Sequence, residues 1–273
     1  MENNSKILFL LTNYFNEEEV FSFISEQLKP KKNKFIDIII TNNGSKNSSI
    51  LENKITAFQN VTLLKSAFNL GYFGAANIGL THYLNQQKEY PKAIIICNTD
   101  IKLAPDFFSV LQNKLSSENF DILGPSIYSS FSKQFQNPYI TSRIKKNKLL
   151  FLKFTSSNPL FYKAFTIYHV LKSKTIGSKN KITENSNPYA IHGSFMIFNK
   201  TFFLNGGTIN YPSLLFGEEI FIAEQAQKLK MITLFDPNLK LEHAEHATTK
   251  IFKSNENINY LHQSYCYLLK TFF

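Results

Sequence analysis

The first hundred residues alternate short apolar runs with segments of helical period. Lys6–Leu11 (KILFLL) is continuously apolar and reads as a buried strand. Asn16 follows as a helix N-cap, with Glu17, Glu18 and Glu19 in the first turn and Val20, Phe21, Ile24 and Leu28 on one face. Phe35–Ile40 is a β-branched strand that stops at Thr41-Asn42-Asn43-Gly44-Ser45. Ile50–Phe58 reads as helix, Val61–Leu64 as strand, Phe73–Leu84 as helix, and Ala93–Cys97 as a fourth strand ending in Asn98-Thr99-Asp100. Pro105 suits the first turn of another helix. Strands apolar on both faces, alternating with helices, predict a parallel sheet covered on both sides.

The pattern then changes. Residues 125–188 are irregular, basic and aromatic, with one apolar helical stretch at Leu160–Leu171. Order returns as a strand over Tyr189–Phe198 with a Gly-Ser interruption, a helix at Glu218–Leu229, and strands near Met231–Phe235 and Leu239–Leu241. Ile258, Leu261, Tyr265, Leu268 and Phe272 recur at spacings of three and four, which predicts a C-terminal amphipathic helix. These shifts divide the chain into a single domain over 1–250 and a helical tail over 251–273. Within the domain, 1–100 forms one half and 101–250 the other, the latter carrying the basic insertion 125–188.

Composition narrows the class. The 273 residues are 43% hydrophobic and 18% charged, the makeup of a globular protein. Two cysteines, Cys97 and Cys266, exclude a disulfide scaffold and a multi-cysteine zinc site. No stretch approaches the ~20 apolar residues of a membrane span, and the run Ile7–Leu11 is too short for a signal-peptide core. The expected location is therefore the cytoplasm, peripheral to the inner face of the membrane if lipid is a partner.

The net charge of +10 is localised. No Asp or Glu occurs from Ile122 to Thr183. That stretch holds Lys133, Arg143, Lys145, Lys146, Lys148, Lys153, Lys163, Lys172, Lys174, Lys179 and Lys181, which account for the whole excess. Such a segment is either a solvated face or a surface for anionic partners.

In an open parallel sheet, ligands bind beyond the carboxyl ends of the strands. Thr12-Asn13, Asn42-Asn43-Gly44-Ser45 and Asn98-Thr99-Asp100 all fall on that rim. Asp100 is either a turn residue or a carboxylate for a hard divalent cation. Asn69–Asn77 places Gly71, Gly74, Ala75 and Ala76 at a loop–helix junction, suited to close backbone approach by a ligand or to tight packing. It lacks the Gly-Lys-Ser/Thr of a phosphate-binding P-loop. Gly217-Glu218-Glu219 puts two carboxylates at a helix start, where they serve the helix dipole or supply a general base. His243 and His246, with Glu242 and Glu245 beside them, have spacing compatible with a metal but are not in zincin order.

Together these pieces resemble the family 2 inverting glycosyltransferases of GT-A fold, and within them the rhamnosyltransferase-like branch that builds bacterial surface polysaccharides. The resemblance runs from Lys6 to Thr249. Thr41–Ser45 is similar to the family's VDNGS strand end, Asn69–Leu80 (NLGYFGAANIGL) to its NxGfaxgxNxG segment, and Asn98-Thr99-Asp100 to NPD, this branch's form of the metal-binding DxD. Gly193-Ser194-Phe195-Met196 is similar to GaxM, Phe216–Glu219 to yGED, and His243 with Thr248 to the late H…S motif. Each motif is weak alone. Six in the right order are specific.

The resemblance implies an α/β fold: a Rossmann-like, mostly parallel central sheet flanked by helices, with the basic and aromatic insertion on the acceptor side. Thr12, Asn13, Glu17 and Asn42 would line the nucleobase pocket. Asn69, Gly71, Asn77 and Asn98 would border the diphosphate-sugar. Asp100 and His243 would hold Mg²⁺ or Mn²⁺, with His246 the alternative ligand. Glu219 would be the base, with Glu218 its neighbour and alternative, and Gly193 and Ser194 would face the acceptor. The implied partners are a nucleotide-diphosphate sugar, a glycan or lipid-linked glycan acceptor and, through the basic segment, an anionic membrane surface rather than nucleic acid. Asn42 stands where the family carries Asp, Glu219 is one methylene longer than the family's Asp, and the metal motif has a single carboxylate. Two other classes compete. A nucleotidyltransferase would need a Gly-rich cationic loop after the first strand, which Thr12–Asn16 does not provide. A nucleic-acid or anionic-surface binder that uses the basic segment leaves the rim motifs unexplained, while a degenerate transferase that binds its nucleotide without turnover is kept open by Asn42 and Glu219.

Overall fold

The computed structural model describes residues 6–46, 48–117, 119–163, 165–166, 183–245 and 255–273. Strands β1 (Ile7–Asn13), β2 (Ile36–Asn43), β3 (Val61–Ser66) and β4 (Ala93–Cys97) form the parallel half of one eight-stranded sheet. The other half holds β5 (Ile101–Leu103), β6 (Ile122–Ser129), β7 (Phe195–Asn199) and β8 (Thr233–His243), and the order is β3-β2-β1-β4-β7-β6-β8-β5. Pairs β1–β2, β1–β4, β2–β3 and β6–β8 are parallel; β4–β7, β6–β7 and β5–β8 are antiparallel. The helices are α1 (Glu17–Ser22, continued by π-helical Phe23–Leu28), α2 (Ser48–Ile55), α3 (Tyr72–Gln87), α4 (Phe107–Ser117), α5 (Lys146–Ser156), α6 (Lys200–Leu204), α7 (Glu218–Lys228) and α8 (Asn255–Phe272). Residues 159–163 and 165–166 are also helical. No helix among the described residues is long and apolar enough to cross a membrane.

The doubly apolar strands do what their sequences require. Phe9, Ile38, Ile40, Ile95 and Phe195 enter one core layer with Val20, Leu51 and Leu111. Leu8, Leu10, Ile94, Ile96 and Met196 enter the opposite layer with Phe73, Leu80, Phe221 and Leu268. Each fully buried Leu, Ile or Phe contributes roughly 1.5–3 kcal/mol of transfer free energy, so both layers are needed to offset chain entropy.

Several expectations are corrected. The strand predicted over Tyr189–Phe198 begins only at Phe195; residues 189–194 are a loop, and β7 runs antiparallel to β4. Within the segment expected to be irregular, Ile122–Ser129 is a buried strand and Lys146–Ser156 a helix. The two strands near Met231–Phe235 and Leu239–Leu241 are one, β8, whose register against β6 jumps from Pro125↔Asp236 to Ser126↔Lys240. That irregularity takes Pro237 out of the ladder, where its missing N–H costs nothing. Asn16 precedes α1, but its side chain accepts from the Tyr14 amide rather than capping the helix. His246, Thr248, the end of the predicted Leu160–Leu171 helix and Lys172, Lys174, Lys179 and Lys181 lie outside the described residues.

Helix α8 is part of the body. Ile258 and Leu268 are buried, and Ser264 Oγ lies 2.6 Å from the Tyr211 hydroxyl, which in turn donates to the Phe216 carbonyl at 3.0 Å. The tail thereby braces the turn that precedes Glu218 and Glu219. Two ion pairs, each with a buried carboxylate, tie the periphery to the sheet. Lys114 meets Asp236 at 2.9 Å, and Arg143 holds Glu224 in a two-pronged contact at 2.9 and 2.7 Å. Glu224 also accepts from the Tyr189 hydroxyl at 2.7 Å, so Arg143 is committed to the fold.

Candidate active site

The carboxyl ends of β1, β2 and β4 and the start of α3 open onto one cleft, lined among others by Thr12, Asn43, Asn69, Gly71, Asn98 and Thr99. Its wall is shaped by Asn43 and Asn69. Asn43 Oδ1 accepts from the Leu70 amide at 2.7 Å, and its Nδ2 donates to Asn69 Oδ1 at 2.8 Å. Asn69 Oδ1 also accepts from the Gly71 amide at 2.8 Å. Gly71 has φ +78°, and a Cβ there would meet the Leu214 backbone at 2.5 Å. The loop before α3 thus presses against the loop before α7, which contributes Leu215 and Phe216 to the cleft.

The sequence-derived residues separate into three sets. Thr12, Asn69, Gly71 and Asn98 line the cleft. Asn13, Asn42 and Glu17 do not; they bond one another beneath its rim. Asn13 Nδ2 donates to Asn42 Oδ1 at 2.9 Å and to Glu17 Oε1 at 3.3 Å, while Asn42 Nδ2 donates to the Ser45 carbonyl at 2.8 Å. Ser45 Oγ donates to Glu17, and this bond helps to hold the Glu17 carboxyl below its usual range against the opposing effect of burial. Asn77 lies in α3, away from the cleft lining.

Asp100 and His243 meet although 143 positions separate them in the chain. The β5–β8 ladder pairs Ile101 with His243, and the Ala244 amide donates to the Asp100 carbonyl at 3.0 Å. His243 Nε2 lies 3.2 Å from Asp100 Oδ1 and 3.4 Å from Asn98 Nδ2. On the other side of the ring, Nδ1 lies 2.8 Å from Gln136 Oε1. The Gln136 amide is oriented by its own Nε2, which donates to Glu245. Its oxygen faces the imidazole Nδ1, an arrangement that favours a proton on Nδ1 and, in that tautomer, turns the Nε2 lone pair toward Asp100. In that tautomer one imidazole nitrogen and one carboxylate oxygen stand together, two of the ligand types that divalent metals take. Among the described residues, no third His, Cys, Asp or Glu joins them.

Glu219 is positioned by backbone. The Gly193 amide donates to Glu219 Oε1 at 3.2 Å, and a Cβ on Gly193 would sit 2.7 Å from that oxygen. The Tyr72 hydroxyl donates to the Gly193 carbonyl at 3.3 Å, and Tyr72 also lines the cleft. Ser194 is buried; its carbonyl accepts from the Asn98 amide at 2.8 Å and its hydroxyl lies 2.9 Å from His192 Nδ1. Burial raises both carboxyls of the Glu pair: Glu219 moves upward, and Glu218, pushed further by the Glu219 charge, reaches about 8. The nearby Tyr139 hydroxyl is also raised, first by the Glu219 charge and then by burial.

Sequence reasoning missed several contributors. Asn43, Tyr72 and Thr99 lay inside quoted motifs without a role assigned. Glu19, read as a helix-dipole acid, lines the cleft and accepts from Asn16 Nδ2 at 3.0 Å. Gln136 and Asn257 gave no signal, because nothing in their local sequence says what they face. Asn257, in the first turn of α8, reaches the cleft. Its Oδ1 and Thr12 Oγ1 are buried and bond no described residue. Neither Lys nor Arg lines the cleft among the described residues.

Comparison with known proteins agrees with this architecture. The crystal structure of GalNAc-T7 with UDP, GalNAc and Mn²⁺ is similar in fold, with a TM-score of 0.59 at 13% identity, over 89% of this chain and 44% of that one. The chain thus spans less than half the length of that protein. No curated protein matches the sequence. The profile of Glycosyl transferase family 2 matches residues 11–203. Matched over most of its length and alike in fold, the chain belongs to glycosyl transferase family 2.

Proposed function

We propose that the protein transfers a sugar from a nucleotide-diphosphate donor to a hydroxyl of a glycan or lipid-linked glycan acceptor. Transfer inverts the anomeric carbon, as in the rhamnosyltransferase-like branch of surface-polysaccharide enzymes that its motifs resemble. Residues 1–100 form the donor half and 101–250 the acceptor half. The observation that carries the reading is convergence behind the cleft wall: Asn98, which lines the cleft, lies 3.4 Å from His243 beside Asp100, and Tyr72, which also lines it, bonds the carbonyl of Gly193, whose amide holds Glu219.

In this reading Glu219 takes the proton from the acceptor hydroxyl as its oxygen bonds to the anomeric carbon. The bond from that carbon to the diphosphate oxygen breaks in the same step, and its electron pair leaves on the nucleoside diphosphate. Single displacement needs no carboxylate nucleophile. Asn69 and the Gly71 turn hold the donor against the start of α3, whose N-terminal end favours negative charge. Thr12 Oγ1 and Asn257 Oδ1 are poised to hydrogen-bond the donor. The cleft offers no cationic side chain among the described residues, so the diphosphate charge calls for another counter-ion. Asp100 and His243 would hold Mg²⁺ or Mn²⁺, which neutralises the departing diphosphate.

The test is calorimetry with a panel of nucleoside diphosphates and nucleotide-sugars, with and without Mn²⁺, on wild type and Asp100→Asn. One nucleotide is expected to bind in a Mn²⁺-dependent manner that the substitution abolishes. Absence of binding across the panel overturns the reading.

A further inference from the structure

Helix α5 turns an apolar face to solvent. Leu149, Thr155 and Ser156 are buried on one side of it, and α8 covers that side: His262 Nδ1 lies 3.1 Å from the Lys153 carbonyl and 3.3 Å from Ser156 Oγ. On the opposite side Leu150, Phe151 and Phe154 are 44%, 53% and 61% exposed. The helical residues that follow add Leu160 at 72% and Phe161 at 50%. These side chains form one surface. The Phe154 and Phe161 rings stack at 5.6 Å, and Phe151 meets Phe165 edge-on at 5.8 Å. Exposed apolar residues scattered singly need no explanation, but a contiguous aromatic cluster on a folded domain marks an interaction site.

Its charge says what kind. Lys145, Lys148 and Lys163 are exposed and Lys153 is partly exposed along the same two helical segments, within a stretch that carries no acid from Ile122 to Thr183. Arg143 is held by Glu224, and Lys146 donates to the Phe273 carbonyl, so neither belongs to this set. A protein partner of ordinary composition would meet unbalanced lysines here. An interface of lipid tails beneath anionic headgroups satisfies both the phenyl rings and the cations.

We propose that this face of α5, with residues 159–163 and 165–166, docks on an anionic lipid bilayer, with Phe151, Phe154, Leu160 and Phe161 entering the acyl boundary and Lys145, Lys148 and Lys163 meeting the headgroups. The patch is tied to the cleft through α8, which packs on α5 and also supplies Asn257.

The experiment is co-sedimentation of the full chain with vesicles of phosphatidylcholine alone and with about 30% phosphatidylglycerol, which reads no turnover and so stands apart from the transfer reaction. Each lysine near an anionic surface is worth about fivefold in partition, and salt screens that attraction. The anionic vesicles are expected to retain the protein at least about tenfold better than neutral ones at low salt, with that preference lost in about 0.5 M NaCl. Lys145→Gln with Lys148→Gln and Lys163→Gln, and separately Phe151→Ser with Phe154→Ser and Phe161→Ser, should each lower partition at least about tenfold while the melting temperature holds, because every altered side chain is exposed. Equal partition into the two vesicle types, or none into either, overturns the proposal without recourse to the variants. A dimer in light scattering that the phenylalanine variant dissociates overturns it too, by showing that a second copy covers the face.

Discussion

The Gly193 amide and Glu219 Oε1 are 3.2 Å apart, so the loop before β7 holds a carboxylate delivered by α7. The bond orients the side chain while its second oxygen remains available to a proton. Glu219→Gln preserves size and the acceptor toward Gly193 but removes basicity. The turnover number should fall about 10²–10⁴-fold, with nucleotide affinity and melting temperature close to wild type. Initial rates beside calorimetry check this; a variant that keeps most of its turnover removes Glu219 from the chemistry.

Both carboxyls of the pair are raised by burial, Glu218 to about 8. A base works only when deprotonated, so the acid limb of kcat/KM should lie above the ordinary carboxylate range of 4.5. The Glu219 charge pushes Glu218 upward, so Glu218 is still protonated when Glu219 gives up its proton, and Glu218→Gln should leave that limb in place. Stability follows the same shifts: groups with raised folded pKa values stabilise fully below the unfolded value of 4.5 and lose that contribution as pH rises through about 8. Wild type should lose melting temperature between pH 5 and pH 8, and Glu218→Gln should lose less. A rate limb that moves to lower pH in the variant would mean that Glu218 already carries charge when Glu219 titrates.

How much of this was legible in sequence depends on what set each feature. β1, β2 and β4 were plain because a strand buried on both faces must be apolar throughout. β6 was hidden by Gly124-Pro125, which reads as a break; the register jump after Pro125 is what lets a proline sit there. α5 was hidden because Leu150, Phe151 and Phe154 face solvent, so its apolar positions do not trace one buried stripe. The candidate site was legible where strand ends carry it, as at Asn98–Asp100. It was not legible where tertiary pairing carries it. Nothing local to Gln136 says that its amide faces His243, and nothing local to Asn257 says that α8 brings it to the cleft.

Asn257 separates binding from folding. Its Oδ1 is buried in the cleft and bonds no described residue. Burial of such a group costs stability until a ligand satisfies it. Asn257→Ala should therefore leave the melting temperature unchanged or raise it, yet weaken nucleotide-sugar binding about 2–10-fold, the worth of one hydrogen bond. Paired thermal melts and titrations read both effects. A variant that loses stability and keeps affinity makes Asn257 a structural residue.

Gly71 fixes how two loops meet. Its positive φ costs any residue with a Cβ about 1–2 kcal/mol, and the Cβ would also stand 2.5 Å from the Leu214 backbone. Gly71→Ala should lower the melting temperature by several degrees and displace the start of α3, where Tyr72 N donates to the Leu214 carbonyl at 3.2 Å. Thermal denaturation followed by circular dichroism tests this. A melting temperature equal to wild type would mean that the two loops separate freely.

Gln136 provides the sharpest test of the Asp100–His243 pair, because it touches neither the donor nor the base in the proposed mechanism. Its carbonyl faces His243 Nδ1 at 2.8 Å, and Glu245 orients the amide that carries it. Without that acceptor the imidazole is free to take the other tautomer, which puts a proton on Nε2 and removes the lone pair that faces Asp100. Loss of an outer-shell partner of this kind typically costs 10–100-fold in metal affinity. Gln136→Ala should lower Mn²⁺ affinity by about that factor in titrations followed by electron paramagnetic resonance, carried out with saturating nucleoside diphosphate. Gln136→Glu combined with Glu245→Gln keeps an oxygen toward Nδ1 and a donor between the two side chains, and should retain most of the affinity. If both variants bind Mn²⁺ as wild type does, the His243 tautomer has no part in holding the ion. If both lose it equally, the contact is packing rather than orientation, since only the glutamate restores the acceptor.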